Sequence, residues 1–205
     1  MNAPPQILIA TYNPGKLREF RSMLAGFPFA LRGLNDFPAV TEVEETGSSF
    51  EENALLKARG YAKQTGHLTL ADDSGLEVAA LGGAPGVFSA RYAGAEATDS
   101  ERTLKLLEEL SHTGDAERRA RFVCVIALAN DATPDTQTFK GICEGRIAHS
   151  PCGTQGFGYD PVFIPDGYQE TFGELPASIK HSLSHRARAL AAARAYLLER
   201  FHTHA

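Results

Sequence analysis

Residues 122–129, FVCVIALA, decide the fold, because this stretch is an uninterrupted apolar run. Such a run predicts a β-strand that is covered on both faces. The residues that follow, 130–135, predict a turn, and residues 138–147 predict an antiparallel partner strand. Cys124 lies inside the run, so we interpret it as a small core residue.

Further strand and helix patterns surround this run. Residues 7–11, ILIAT, form a short apolar stretch that ends at Asn-Pro-Gly and predicts a buried strand. Leu17, Phe20 and Leu24 follow at helical spacing, and residues 67–71 predict another strand that leads into Asp-Asp-Ser-Gly. The alternation of strands and helices predicts an α/β fold with a mixed sheet.

Capping signals mark where two of the helices begin. Ser49 with Glu52, and Thr98 with Glu101, have the spacing of a capping box. A last helix is predicted over residues 184–202. The helix after Thr98 is expected to bury Leu104, Leu107 and Leu110.

Composition excludes several classes of protein. The chain has 205 residues, a net charge of -5 and 43% hydrophobic residues, which argues against disorder. No run of about 18 apolar residues occurs, so we expect no membrane-spanning helix. The negative net charge argues against binding to a long nucleic acid. The three cysteines form no CxxC pair, which argues against a disulfide framework or a zinc site and favours the cytoplasm.

The first candidate for chemistry is the segment TYNPGK, residues 11–16. A strand ends here, the chain is expected to turn at Gly15, and a helix begins. The start of a helix presents backbone N–H groups and a positive dipole end to an anion, and Lys16 adds a cation. The alternative is an ordinary strand-to-helix turn with a surface lysine.

The second candidate is acidic. Residues 36–52 contain six acids and no base, and Asp72-Asp73 follows a predicted strand. Carboxylates in such positions can hold Mg²⁺, which prefers oxygen ligands. The alternative is a solvated acidic face and an Asx turn before Gly75, and we favour it for Glu42 and Glu51. For Glu45 and Asp73 both interpretations stay open.

Two later segments complete the candidates. Phe157-Gly158-Tyr159-Asp160-Pro161 interleaves aromatic residues with glycine, which can provide a stacking surface for a base or can fill a small core. Lys180 precedes Ser184-His185-Arg186, where Ser184 is a plausible helix cap. Cations in a first helical turn oppose the helix dipole, which suggests an anion or a carbonyl oxygen opposite them. The alternative is an exposed basic start of a helix.

Six short motifs occur in order along the chain, and their combination is specific. The chain, from residue 7 to about residue 198, resembles the inosine triphosphate pyrophosphatase family of Ham1/RdgB-type nucleoside triphosphate pyrophosphatases. The motifs are T-x-N-x-G-K (11–16), F-x-E-N-A-x-x-K-A (50–58), A-D-D-S-G-L (71–76), G-G-A-P-G-V-x-S-A-R-Y (82–92), G-F-G-Y-D-P (156–161) and S-H-R (184–186).

The resemblance implies a reaction and a fold. Members hydrolyse deaminated purine nucleoside triphosphates (dITP, ITP and XTP) to the monophosphate and pyrophosphate, with Mg²⁺ as cofactor. They are typically homodimers. The implied architecture is one domain, here residues 1–205, in which an elongated mixed sheet is flanked by helices and a nucleotide cleft lies between two lobes.

The resemblance also implies roles for individual residues. Asp73 is the expected catalytic proton acceptor, and Glu45 and Asp73 are the expected metal ligands. The expected substrate-binding residues are Thr11, Tyr12, Asn13, Pro14, Gly15, Lys16, Lys57, Ser74, Phe157, Gly158, Tyr159, Asp160, Lys180, His185 and Arg186.

Selectivity for deaminated purines requires hydrogen-bond donors at the base. Hypoxanthine and xanthine present a carbonyl oxygen at position 6, where adenine presents an amino group. His185 or Arg186 could donate to that oxygen and would be left unpaired opposite adenine. Two alternatives remain: a pyrophosphatase for modified pyrimidine nucleotides, and a purine nucleotide sensor that does not hydrolyse.

Overall fold

The structure, a computed structural model, describes residues 5–202, and the side chains of residues 5–133 and 135–200. The strands are β1 (Gln6–Ile9), β2 (Ala30–Gly33), β3 (Leu68–Val78), β4 (Arg119–Asn130), β5 (Thr133–Ile147) and β6 (Phe163–Pro165). The α-helices are α1 (Pro14–Met23), α2 (Phe50–Thr65), α3 (Asp99–Glu109), α4 (Ala177–Leu183) and α5 (His185–His202). Among residues 5–202, no helix is both long enough and apolar enough to cross a membrane.

The six strands form one sheet in the order β2-β1-β3-β4-β5-β6. β1 pairs in parallel with β2 and with β3, and β5 pairs antiparallel with β6. The predicted α/β fold with a mixed sheet is therefore confirmed. Residues 122–129 are all buried within β4, as the apolar run predicts.

The chain forms two compact units. The first contains the described residues up to 73, residues 125–140 and the described residues from 189 onward. The second contains residues 74–124 and 141–188. β3, β4 and β5 each contribute residues to both units, whereas the single two-lobed domain of residues 1–205 stays a prediction. The core of the second unit includes Leu76, Leu106, Leu110, Phe122, Tyr159, Val162, Phe163 and Phe172.

The helix starts follow the capping signals with one difference. Thr98 and Glu101 form a complete capping box at α3. At α2 the Ser49 side chain accepts from the Glu52 N–H, but the Glu52 carboxylate accepts from the N–H and hydroxyl of Ser48 instead. The serine immediately before the cap therefore completes the arrangement.

The prediction of which leucines α3 buries is partly wrong. Leu106 and Leu110 are buried, whereas Leu104 is 57% exposed. At about 100° per residue, Leu104 lies about 160° around the helix from Leu106, so spacing alone misplaced the core-facing stripe.

Candidate active site

The loop between β1 and α1 is organised by asparagine and proline. The Asn13 side chain accepts a hydrogen bond from the Lys16 N–H (3.0 Å), and the Asn13 N–H donates to Thr11 Oγ1 (3.1 Å). Pro14 is the first helical residue, where its missing N–H costs no hydrogen bond. The predicted turn at Gly15 is wrong, because Gly15 already lies buried within α1 and Asn13 forms the cap.

Lys16 is part of an ion pair and is not a free surface lysine. Its Nζ lies 3.0 Å from Asp72 Oδ2, and the Asp72 side chain is fully buried. Tyr12, in the same segment, is 51% exposed. The cation of this segment therefore points at a buried carboxylate, while an aromatic ring is open to solvent.

Helix α2 places two polar side chains against residues 45–47 and against β3. Lys57 Nζ lies 2.7 Å from Glu45 Oε1 and 3.7 Å from Asp73 Oδ1. Asn53, one turn earlier on the buried face of α2, donates to Asp73 Oδ2 (3.1 Å) and accepts from the Gly47 N–H (2.7 Å). Asn53 therefore orients Asp73, a role that sequence reasoning missed although Asn53 lies in the second motif, four residues before Lys57.

The two aspartates lie within a strand and not in a turn. β3 continues to Val78, so the alternative of an Asx turn before Gly75 is wrong. Asp72 and Asp73 are both buried, and each is paired with its own lysine. We call Lys16, Glu45, Lys57, Asp72 and Asp73 the carboxylate–lysine cluster.

Electrostatics within this cluster shift two pKa values upward. Burial raises the pKa of Asp73 above its ordinary value, and the Glu45 charge adds to this, while Lys57 and Lys16 oppose it. Burial lowers the pKa of Lys57, but attraction from the three carboxylates outweighs it, so the net shift is upward. Lys57 therefore stays charged at neutral pH, and Asp73 takes up a proton more readily than an exposed aspartate.

The donor set of this cluster suits a small divalent cation. Within residues 5–202, no three His, Cys, Asp or Glu side chains are arranged to hold a metal ion by themselves. Glu45 and Asp73 do present carboxylate oxygens within 3.7 Å of the same ammonium. Mg²⁺ in nucleotide enzymes is usually held by one or two carboxylates plus phosphate oxygens, so the residues present fit that ion.

Three of the other acids in residues 36–52 have partners of their own. Asp36 accepts from Arg32 and from the Gly33 N–H, Glu51 accepts from Thr138, and Glu52 accepts from Ser48. Glu42 is exposed. The structure therefore sets Glu45 apart from the solvated acids around it.

In the second unit, Asp160 organises the loop that begins at Phe157. Its Oδ2 accepts from the Phe157 N–H (2.8 Å) and from Lys180 Nζ (2.5 Å). The Lys180 ammonium also lies 4.6 Å from the centre of the Phe157 ring. Of the two aromatic residues expected to form a stacking surface, Phe157 is half-buried, but Tyr159 is buried in the core. Phe157 is therefore the ring available to a ligand.

The start of α5 is buried. Ser184 Oγ accepts from the Ala187 N–H (3.2 Å), which confirms the predicted cap. His185 and Arg186 are 4% and 2% exposed, so the alternative of an exposed basic helix start is wrong. Arg186 Nη2 donates to Ser74 Oγ (2.9 Å), and its guanidinium lies 5.7 Å from the centre of the Phe157 ring. We call Phe157, Lys180 and Arg186 the aromatic–cation cluster, and His185 is the buried residue that precedes Arg186.

The first unit of this α/β protein therefore holds a cluster of carboxylates with lysines, and the second unit holds cations around an aromatic ring. Residues 7–196 match the model of the Ham1 family. The chain belongs to that family.

Curated relatives and solved structures agree with this assignment. A dITP/XTP pyrophosphatase from Geobacter sulfurreducens is 51% identical over 186 residues, covering 91% of this chain and 93% of the relative. One from Coxiella burnetii is 47% identical over 197 residues, covering 96% and 98%. The structure of a HAM1 protein from Coxiella burnetii superposes with a TM-score of 0.87 at 47% identity, covering 95% of this chain and 99% of that one. The Ham1 protein of Staphylococcus aureus gives a TM-score of 0.84 at 42% identity, with the same coverage.

Proposed function

We propose that the chain hydrolyses deaminated purine nucleoside triphosphates (dITP, ITP and XTP) to the nucleoside monophosphate and pyrophosphate, and so removes them from the nucleotide pool. Two observations support this proposal: the chain aligns over at least nine-tenths of its length with curated dITP/XTP pyrophosphatases, and it contains the carboxylate–lysine cluster. This makes it an enzyme, a nucleoside triphosphate pyrophosphatase.

Glu45 and Asp73 would hold the metal ion, which we propose to be Mg²⁺. When bound there, the ion would supply positive charge to the phosphate groups and would lower the pKa of water. Lys57 is placed against both carboxylates and offsets their repulsion. We propose that its charge also acts on phosphate oxygens of the substrate.

Asp73 is the proposed proton acceptor for the attacking water. Its pKa is raised by burial, which brings a carboxylate closer to the neutral range in which a general base works best. Asn53 fixes one oxygen of Asp73 by a hydrogen bond, so the carboxylate is oriented before substrate arrives. Pyrophosphate leaves with concentrated negative charge, and Lys16 and Lys57 offset it.

The aromatic–cation cluster is the proposed base site. Phe157 supplies a ring for stacking, and Asp160 with Lys180 holds the loop that carries it. His185 and Arg186 are proposed to donate to the carbonyl oxygen at position 6 of hypoxanthine or xanthine. Adenine has no acceptor there, so it would leave buried donors unpaired. Thr11–Gly15 and Ser74 complete the proposed contacts to the substrate.

We also propose an oligomeric state, a cellular location and a domain organisation for the enzyme. The resemblance to the family supports a homodimer, which light scattering would test. Cys124, Cys143 and Cys152 are thiols, which agrees with a cytoplasmic location. A single domain over residues 1–205 is proposed on the same resemblance.

A substrate panel tests the function. Pyrophosphate and orthophosphate release would be measured from dITP, XTP, dATP and modified pyrimidine triphosphates, with Mg²⁺ and with a chelator. We expect Mg²⁺-dependent release of pyrophosphate from dITP and XTP. Predominant orthophosphate would refute cleavage between the α and β phosphates, and equal turnover of pyrimidine nucleotides would favour the first alternative. Tight binding of dITP without any release would favour the sensor.

A further inference from the structure

The imidazole of His185 lies flat against an aromatic ring. Its centre is 4.7 Å from that of Phe122, and the two ring planes differ by 15°. His185 is the first residue of α5, and Phe122 lies in β4. A parallel contact at this distance leaves the imidazole little freedom to tilt, because tilting either ring would bring their atoms into overlap.

Phe122 is itself held in place by two further rings. Phe163 lies 4.5 Å from Phe122 and Phe172 lies 6.4 Å from it, measured between ring centres. Phe163 and Phe172 also stack on each other at 5.5 Å. All three are buried in the core of the second unit, which makes the Phe122 ring a fixed support.

The N–H bond of an imidazole lies in the plane of the ring, and a hydrogen bond weakens steeply when its donor points away from the acceptor. Whatever sets the ring plane of His185 therefore sets the directions in which it can donate. We infer that Phe122 is a specificity-determining positioning residue, which aims the His185 donor at the position-6 oxygen of a deaminated purine. This inference rests on the proposed function.

The test compares two variants that differ in whether the ring remains. Phe122→Leu removes the aromatic ring, whereas Phe122→Tyr keeps it and adds a hydroxyl in an apolar core. Both changes are expected to lower the melting temperature, so a general loss of stability affects both proteins. Discrimination is measured as the ratio of kcat/KM for dITP to kcat/KM for dATP.

We expect Phe122→Leu to lower this ratio by about tenfold, which is the effect of misaligning one hydrogen bond. Phe122→Tyr should keep the ratio near that of the wild type. An independent readout is the proton spectrum of His185, identified by its absence in His185→Gln. Its ring protons lie over the Phe122 face and should shift downfield in Phe122→Leu but not in Phe122→Tyr.

The possible failures are distinguishable. A protein that prefers dITP to dATP, but whose Phe122→Leu variant keeps the full ratio, refutes the inference and leaves the proposed function standing. An equal fall in both variants also refutes the inference, since stability alone would then explain it. A wild-type protein that does not prefer dITP refutes both.

Discussion

The hydroxyl of Tyr159 donates a hydrogen bond to the backbone carbonyl of Ser89, over 3.0 Å in the buried core of the second unit. Ser89 Oγ in turn accepts from the Leu76 N–H (2.9 Å) and donates to the Gly86 carbonyl (2.7 Å). The loop of residues 82–92, a family motif for which sequence reasoning gave no role, therefore ties β3 to the segment that carries Phe157.

The first prediction concerns the hydrogen bond between Tyr159 and Ser89. Tyr159→Phe leaves the buried Ser89 carbonyl without the Tyr159 hydroxyl, so the free energy of unfolding should fall by about 1–2 kcal/mol. The KM for dITP should rise more than kcat falls, because the base segment loses a constraint while the carboxylate–lysine cluster is unchanged. Tyr196→Phe is the control, since the hydroxyl of Tyr196 binds Arg200 at an exposed position. Equal changes in unfolding free energy and in KM for the two variants would contradict a role of the Tyr159–Ser89 hydrogen bond.

A structural feature can be predicted from the sequence when the residues that cause it lie close together along the chain. Residues 122–129 predicted β4 correctly, because burial on both faces requires an apolar residue at every position. The cap at Ser184 was also predictable, since the cap and the N–H that it accepts lie three residues apart. The Tyr159–Ser89 bond joins residues that are 70 positions apart, and no spacing rule reaches that far.

Side-chain partners were the least predictable part of the candidate site. The resemblance named Asp160 and Lys180 as substrate contacts, but only the folded chain shows that they bind each other. The burial of His185 and Arg186 could not be predicted from the sequence, because two adjacent polar residues at a helix start usually face water. Their burial depends on β4 and on the Phe157 loop, which are distant in sequence.

The second prediction concerns Gly156. Its φ is +77°, and an added Cβ would lie 1.9 Å from Asp160 Oδ2. Gly156→Ala should therefore displace the carboxylate that accepts from Phe157 and Lys180, at a cost of about 3 kcal/mol from backbone strain and a weakened charged hydrogen bond. The matched control is Gly158→Ala, where φ is +61° and an added Cβ meets nothing within 4 Å. That variant should lose only the backbone strain, about 1 kcal/mol. Denaturant unfolding of both variants measures the difference, and equal losses would be inconsistent with a special role for the Asp160 contact.

The third prediction concerns the proposed general base. Asp73→Asn should lower kcat for dITP by about 10²–10⁴-fold, because the amide cannot take the proton of the attacking water. Nucleotide binding, measured by calorimetry, should be largely retained. Asp131→Asn, in the exposed turn between β4 and β5, is the control for removal of one negative charge. Full activity of Asp73→Asn would show that another group accepts the proton.

The fourth prediction concerns metal affinity. Glu45→Gln removes one carboxylate charge beside Lys57, so the Mg²⁺ concentration for half-maximal activity should rise by at least about tenfold, the smallest loss usual even for residues that only support a metal ligand. Saturating Mg²⁺ should restore much of the rate. The control is Glu44→Gln, because Glu44 is the exposed neighbour in the same acidic run. A rate that stays low at saturating Mg²⁺ would assign Glu45 a role other than holding the ion.

The fifth prediction concerns thiol reactivity. Burial raises the pKa of Cys143 to about 11, and Cys124 is fully buried, whereas Cys152 is partly exposed. Because the thiolate is the reactive form, a raised pKa lowers reactivity. The ionised fraction falls about tenfold for each unit that the pH lies below the pKa, so at pH 8 roughly one Cys143 in a thousand is ionised. Ellman's reagent should therefore modify one thiol per native chain at pH 8, none in Cys152→Ser and three in guanidinium chloride. Rapid modification of two thiols in the native protein would show that the core around Cys143 opens more readily than its burial implies.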